Sequence, residues 1–359
     1  MSFEDWHWQL ENRISTVKEL EQYINLTDDE KKDIEEVSKE YSWSTTPYYA
    51  SLMSTNNQEC PIRKQALPNK NELFDPFGVE DPLHEEEHQP TKGLVRVYPD
   101  RLAFTVSNQC AMLCRHCFRK KFVNMAETYI TKDNILESIE WLKENSEIRD
   151  VLLTGGDPFL NETDWLEEII ARLREIEHIE IVRIGTRTPC TMPQRITSEL
   201  CSMLNKYHPL WVNVQFNHPK ELTEQASKAC EMLSEAGIPL GNQSVLLKGV
   251  NDDPEIYQRL VHGLVKMRVR PYYLYQCQIL HGTNHFRTPI ESGINIIKKL
   301  QGFTSGFCVP VYLLDTPYGK CPMSPQNIVY RDEKSVSLRN FEGKIWTEPN
   351  PMPGKETIR

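Results

Sequence analysis

Three cysteines stand at C-x3-C-x2-C spacing in Cys110-Ala-Met-Leu-Cys114-Arg-His-Cys117. A closed structural zinc site or an electron-transfer cluster takes four protein ligands, so this triplet is one short. Three thiolates can converge on one cluster and leave an iron corner free for a small molecule, an arrangement suited to making a carbon radical by reduction. Three incidental or buried cysteines are the plain alternative. Arg115, Arg119, Lys120 and Lys121 flank the triplet in a chain whose net charge is -10, and an anionic small ligand is the expected reason for that local excess of cations.

Two further stretches carry chemistry. Gly155-Gly156-Asp157 follows the apolar run Val151-Leu-Leu153. Two glycines let a ligand approach the backbone closely, so this turn can bind the amino and carboxylate ends of a methionine moiety. Near the C-terminus, Asp315-Thr-Pro-Tyr-Gly-Lys320 presents a lysine on a Pro/Gly turn. Such an amine can form a Schiff base with an aldehyde cofactor, and burial is expected to lower its pKa and make it nucleophilic. The bland reading is a surface loop lysine.

The elements that must position these groups are legible from position 101 onward, where apolar strands alternate with helical stretches. The pairs are 101–107 with 133–145, 151–153 with 163–175, 179–184 with 195–206, 211–216 with 221–236, 242–247 with 254–267, and 272–275 with 290–301. Six β-then-α units predict an α/β fold with a parallel sheet, a partial (β/α)6 TIM-like barrel or a closed one, and no Rossmann glycine fingerprint opens the first unit. Polar residues recur where the strands end: Thr154 to Asp157, Gly185 to Arg187, Gln215 to His218, Gln243 and Gln276 to Gln278. The carboxyl ends of barrel strands form the active face, so these groups should meet the cysteine loop there.

Before the barrel, Trp6 to Ile24 and Asp28 to Tyr41 read as amphipathic helices, the second opened by a capping box from Thr27 to Glu30. The stretch 66–93 reads as an extended surface connector, with His84, His88 and the acidic run given to solvent. The expected divisions are a helical region and connector over 1–93, a barrel core over 94–303 and a lysine-bearing segment over 304–359.

Composition bounds the rest. The chain has 359 residues, a length that α/β barrels reach as one unit, with 26% charged and 39% hydrophobic residues. The acidic balance argues against a nucleic-acid partner. Ten cysteines, only three of them clustered, with no signal peptide, point to a reducing cytoplasm rather than a secreted disulfide framework. No apolar run approaches the roughly 18 residues needed to span a membrane.

In all these stretches the sequence resembles the lysine 2,3-aminomutase family of radical S-adenosylmethionine enzymes, which also use pyridoxal phosphate. The resemblance runs from about Trp6 to Glu348. It rests on Thr46 to Met53, Asp81-Pro-Leu-His84, Tyr98-Pro-Asp-Arg101, Cys114-Arg-His-Cys117, Leu152 to Asp157, Pro239 to Leu247, Val269 to Tyr273 and Leu338-Arg-Asn-Phe-Glu-Gly343. The resemblance implies that Cys110, Cys114 and Cys117 hold a [4Fe-4S] cluster whose fourth iron is chelated by S-adenosylmethionine. It implies that Gly155, Gly156, Asp157, Gln215 and Gln243 help seat that molecule. Lys320 would carry pyridoxal phosphate, with Tyr98 and Arg101 in its binding segment, and Arg119 would hold the substrate carboxylate. The implied reaction moves the α-amino group of a free amino acid to its β-carbon.

The chain also departs from the family pattern. Lysine-specific members hold the distal ammonium with two aspartates; Asp315 is retained, but Gln278 stands at the other position. The turn from Asp315 to Lys320 is two residues shorter, Gln215 stands where a histidine is frequent, and Val97 replaces an arginine expected to meet phosphate. Arg96 should face the other way by strand alternation. Neither half of the family's cysteine-rich zinc site appears, with Asp253 at one ligand position, so no structural zinc is expected. The reading is an isomerase acting on L-lysine or another cationic L-amino acid. Glutamate is disfavoured by Asp315. Arginine, ornithine, a neutral polar amino acid, a protein-bound lysine and a non-catalytic cluster-binding role are the competing readings. Expected partners are the amino acid and a reductant such as flavodoxin or ferredoxin, with a homodimer allowed and neither nucleic acid nor membrane involved.

Overall fold

The computed structural model describes residues 2–120 and 129–350; Lys121, grouped above with the cations beside the cysteines, lies outside them. Nine strands form one sheet in chain order: β1 (Leu94–Val95), β2 (Arg101–Ser107), β3 (Asp150–Gly155), β4 (Ile181–Thr186), β5 (Leu210–Val214), β6 (Leu240–Leu246), β7 (Val269–Gln276), β8 (Val311–Thr316) and β9 (Gly319–Pro322). Strands β2 to β8 are parallel, while β1 and β9 run antiparallel to their neighbours. β1 and β9 are the two edges, so the curled sheet is a partial barrel. The six expected β-then-α units are present, and β8 adds a seventh parallel strand.

Period-two alternation sorts the strand residues between helices and interior. On β4, Val182 and Ile184 are fully buried, whereas Arg183 and Gly185 line the internal cavity. The outer helices answer with one apolar stripe each. In Thr163–Arg174 the buried residues are Leu166, Ile169, Ile170 and Leu173, spaced as one helical face. Threonine caps begin several of the helices: Thr131, Thr197 and Thr223 each accept a backbone N–H from the first turn, satisfying a donor the helix leaves orphaned.

The N-terminal region is broken more finely than its periodicity predicts. The first expected helix is two, Trp6–Glu11 and Val17–Leu20, because Ile14 leaves the helix to bridge Thr45 and Thr16 opens a new capping box with Glu19. The Thr27–Glu30 capping box does start a helix, Asp28–Val37. At the other end, β10 (Ile328–Arg331), β11 (Ser335–Arg339) and β12 (Ile345–Pro349) form a separate antiparallel sheet. Among the described residues no helix is long and apolar enough to cross a membrane.

Candidate active site

One cavity of about 1340 Å³ lies inside the curled sheet. Its wall includes Cys110, Cys114, Cys117, Gly155, Gly156, Asp157, Gln215 and Gln243, together with Tyr98, Arg101, Arg119, Gln278, Asp315 and Lys320. Every site residue expected from the sequence therefore faces the same space.

The cysteine loop is fastened from outside by the N-terminal region. Arg13 Nη1 donates to the Cys110 carbonyl at 2.9 Å, Leu113 N to Ser44 O at 3.0 Å, and Arg115 N to Gln65 O at 2.9 Å. The Arg115 guanidinium is fully buried and donates to Glu72, which also pairs with Lys120. These two cations neutralise a buried carboxylate, which corrects the expectation that they wait for an anionic ligand. From inside, the two glycines are close-packed on the same loop. A Cβ on Gly155 would lie 2.4 Å from the Ser107 carbonyl oxygen, and one on Gly156 would lie 2.2 Å from that of Gln109. Glycine is thus required by the contact between β3 and the loop, before any ligand is considered.

Burial pushes the Cys117 thiol up to about 11, with the neighbouring Cys114 adding to it, and burial, with Cys117 adding to it, also raises the Cys110 thiol well above its ordinary value. No three His, Cys, Asp or Glu side chains among the described residues are placed to hold a metal ion, these cysteines included. All three line the cavity.

Asp157 is buried, and protein donors already occupy its carboxylate: Thr186 Oγ1 at 2.7 Å and the backbone N–H groups of Phe159, Arg187 and Thr188. Burial still raises its pKa from the ordinary value. Its carboxylate ties the end of β3 to the end of β4, and its backbone N–H donates to the Gln109 carbonyl at 2.6 Å, so Asp157 braces the cysteine loop against both strands. Gln215 Nε2 lies 3.1 Å from His116 Nε2, and Asn217 Nδ2 lies 3.3 Å from the same atom. Two amide donors on Nε2 put the imidazole proton on Nδ1.

On the same cavity wall, Lys320 sits on β9 opposite Asp315 on β8, with Nζ 3.4 Å from Asp315 Oδ2. Burial opposes charge on this amine, but the Asp315 carboxylate, with Tyr275, Tyr98 and Tyr273 around it, outweighs burial and raises its pKa. This reverses the expected lowering. The lysine turn is held by Tyr98 and by the loop between β11 and β12: Lys320 N donates to Tyr98 Oη at 2.7 Å, Phe341 stacks on Tyr98 at 5.5 Å, and Asn340 Nδ2 donates to Tyr318 O at 2.9 Å. The Arg101 guanidinium lies over the Tyr98 ring, 3.7 Å from its centroid. Arg96 turns away to Glu147 at 2.8 Å while Val97 lines the cavity, although both lie in the turn between β1 and β2 rather than in a strand. Gln278 Nε2 donates to the Asp315 carbonyl at 3.0 Å, so it braces the strand end that carries Asp315.

The connector is no solvent spacer. Glu85 takes the Arg119 guanidinium in a two-point grip at 2.9 and 2.6 Å, and His88 Nε2 lies 2.9 Å from the Pro317 carbonyl oxygen. Glu86 and Glu87 do remain exposed, while His84 is half-buried. Residues missed in the sequence reading include Glu72, Glu85, Gln65 and Glu221. All are polar groups whose burial depends on contacts far along the chain, and only the cationic run beside the cysteines hinted that carboxylates were needed.

A C-x3-C-x2-C loop at the mouth of a partial (β/α)6 barrel defines the radical S-adenosylmethionine class, and the Radical SAM superfamily model matches residues 104–260. A second model, described as Lysine-2,3-aminomutase, matches residues 297–357. The L-lysine 2,3-aminomutase of Clostridium subterminale is 49% identical, over 97% of this chain and 84% of that protein. The enzyme of the same name from Fusobacterium nucleatum is 48% identical over 97% and 82%. The glutamate 2,3-aminomutase of Clostridioides difficile is 46% identical over 95% and 82%. The chain belongs to the lysine 2,3-aminomutase family. It is a radical S-adenosylmethionine aminomutase, an isomerase, and its cofactors are a [4Fe-4S] cluster, S-adenosylmethionine and pyridoxal phosphate.

Proposed function

We propose that this enzyme moves the α-amino group of a cationic L-amino acid, L-lysine first, to the β-carbon. The observation that carries the reading is the shared wall of one cavity, lined both by the three cysteines and by the Lys320–Asp315 pair. Relatives named for lysine and for glutamate are almost equally similar, so the substrate has to be argued from the pocket. A carboxylate at Asp315 attracts a distal cation and repels a distal carboxylate.

The residues fit the cofactors. Cys110, Cys114 and Cys117 supply three thiolates to the cluster, with Gly155, Gly156, Gln215 and Gln243 beside the space for S-adenosylmethionine. Among the described residues no protein partner is bonded to the Gln243 side chain. Lys320 supplies the amine for pyridoxal phosphate, and Arg101 supplies a cation near it for the phosphate. When bound, the cluster with S-adenosylmethionine supplies a radical that exchanges a hydrogen atom with the substrate, and pyridoxal phosphate supplies a π-system over which an unpaired electron spreads.

The chain's own part is positioning. Asp315 Oδ2 lies beside Lys320 Nζ and stabilises its proton until the amine is engaged; the carboxylate is then free for a substrate ammonium. Arg119 offers a planar two-point grip to a substrate carboxylate once Glu85 yields it. Gln278 contributes no charge to the distal pocket, which leaves Asp315 to discriminate among cations with less field than two carboxylates would give. A low-potential reductant of the flavodoxin or ferredoxin kind supplies the electron.

The test is anaerobic incubation of the reduced, fully loaded enzyme with L-lysine, L-arginine, L-ornithine and L-glutamate, with β-amino products read by mass spectrometry. L-Lysine should give the largest product yield. Product from glutamate alone overturns the assignment of the distal pocket.

A further inference from the structure

Arg187 follows β4 directly and lines the cavity inside the barrel, 8% exposed. Its Nη1 donates to Cys114 Sγ at 2.7 Å. Its Nη2 donates to Gln65 Oε1 at 2.6 Å and Glu221 Oε1 at 2.9 Å, with Tyr49 Oη at 3.4 Å. Gln65, Glu221 and Tyr49 are themselves fully buried. Glu221 is fixed in turn by the Tyr49 hydroxyl at 2.7 Å and by the N–H groups of Asn217 and His218 at 2.6 and 2.9 Å. The guanidinium is therefore clamped on two sides and aimed at one sulfur. Among the described residues no other charged side chain hydrogen-bonds a sulfur of the triplet.

We propose that Arg187 is a positioning residue that raises the reduction potential of the cluster through its hydrogen bond to the Cys114 sulfur. The inference rests on the reading above that Cys114 is a cluster ligand. A guanidinium stays protonated, so its charge is permanent. A cation donating to a ligating sulfur stabilises the extra negative charge that one-electron reduction brings, and hydrogen bonds to sulfur are among the levers that set cluster potentials. Glu221 offsets the charge globally, but it grips the Nη2 side of the fork, leaving Nη1 to the sulfur.

The experiment is a redox titration of the reconstituted full chain, followed by electron paramagnetic resonance without S-adenosylmethionine, so that any part Arg187 plays toward that molecule does not enter. Arg187→Met is compared with Arg187→Met/Glu221→Gln, which removes both buried charges together and keeps the site neutral. The reduction equilibrium should move at least tenfold against the reduced cluster in both, about 59 mV more negative for a one-electron couple. Arg187→Lys, which keeps charge but loses the fork, should recover part of the shift. Wild-type potential in the double variant at full iron and sulfide content overturns the proposal. Loss of the cluster from the double variant overturns it too, since Arg187 would then serve only to hold the loop. Failure of the wild-type chain to assemble any four-iron cluster would instead sink the assignment of the three cysteines.

Discussion

Asp315 and Lys320 are cross-strand partners on β8 and β9, and their side chains form an ion pair at 3.4 Å inside the cavity. The carboxylate expected to meet substrate is thus occupied by the amine expected to meet pyridoxal phosphate. Because the raised pKa keeps that amine protonated at neutral pH, and only the free base attacks an aldehyde, cofactor uptake by the apoenzyme should accelerate steadily as pH rises. Asp315→Asn removes the carboxylate, lowers the amine pKa and should speed uptake at pH 7, read as growth of the absorption band of lysine-bound pyridoxal phosphate. Uptake no faster than wild type at pH 7 would show that the pair does not hold the proton.

Glu85 holds Arg119 with both carboxylate oxygens, so a substrate carboxylate has to compete for the same fork. Glu85→Gln weakens the competitor while keeping its shape. The KM for the amino acid should fall severalfold with kcat little changed, whereas Arg119→Lys should raise KM by losing the planar grip. A higher KM in Glu85→Gln would assign Glu85 to holding Arg119 in its working position.

A methyl group at position 156 has no room beside the Gln109 carbonyl oxygen. Gly156→Ala should displace the cysteine loop and reduce iron per chain after anaerobic reconstitution by half or more, with the far-ultraviolet circular dichroism of the barrel retained. Full iron content would show that the loop gives way at no cost to the cluster.

Glu348 on β12 is buried, and burial lifts its carboxyl to about 7, against the donated Trp346 N–H and the charge of Arg287. The unfolded chain releases this proton near 4.5 and the folded chain only near 7, so folding loses stability as pH rises through that interval. Glu348→Gln removes the penalty. Thermal unfolding should be unchanged at pH 4 and should favour the variant at pH 8 by up to about 3 kcal/mol, at roughly 1.4 kcal/mol per pH unit. Equal Tm values at pH 8 would contradict the burial argument.

Much of this site was readable from the chain because its chemistry is local. The cysteine spacing, the Gly155-Gly156 pair and the turn before Lys320 are each short stretches, and period-two and helical patterns fixed the strands whose ends bring them together. The sequence reading failed where a charge is settled by a distant partner. Arg115 and Lys120 meet Glu72, and Arg119 meets Glu85, and no spacing rule links such positions. The lysine pKa was misjudged for a related reason: burial was foreseen, but Asp315 was assigned to substrate and left out of the balance. The N-terminal helix was drawn too long because one bridge between Ile14 and Thr45 outweighs local amphipathic periodicity.

The fastening of the cysteine loop by Arg13, Ser44, Gln65 and Glu72 bears on how the enzyme matures. A nascent barrel whose N-terminal region has not yet docked would lack these ties on its cysteine loop, so iron–sulfur delivery has to wait for that docking or drive it. A chain relieved of its first 70 residues should therefore be a poor acceptor for cluster transfer, however well its strands and helices form.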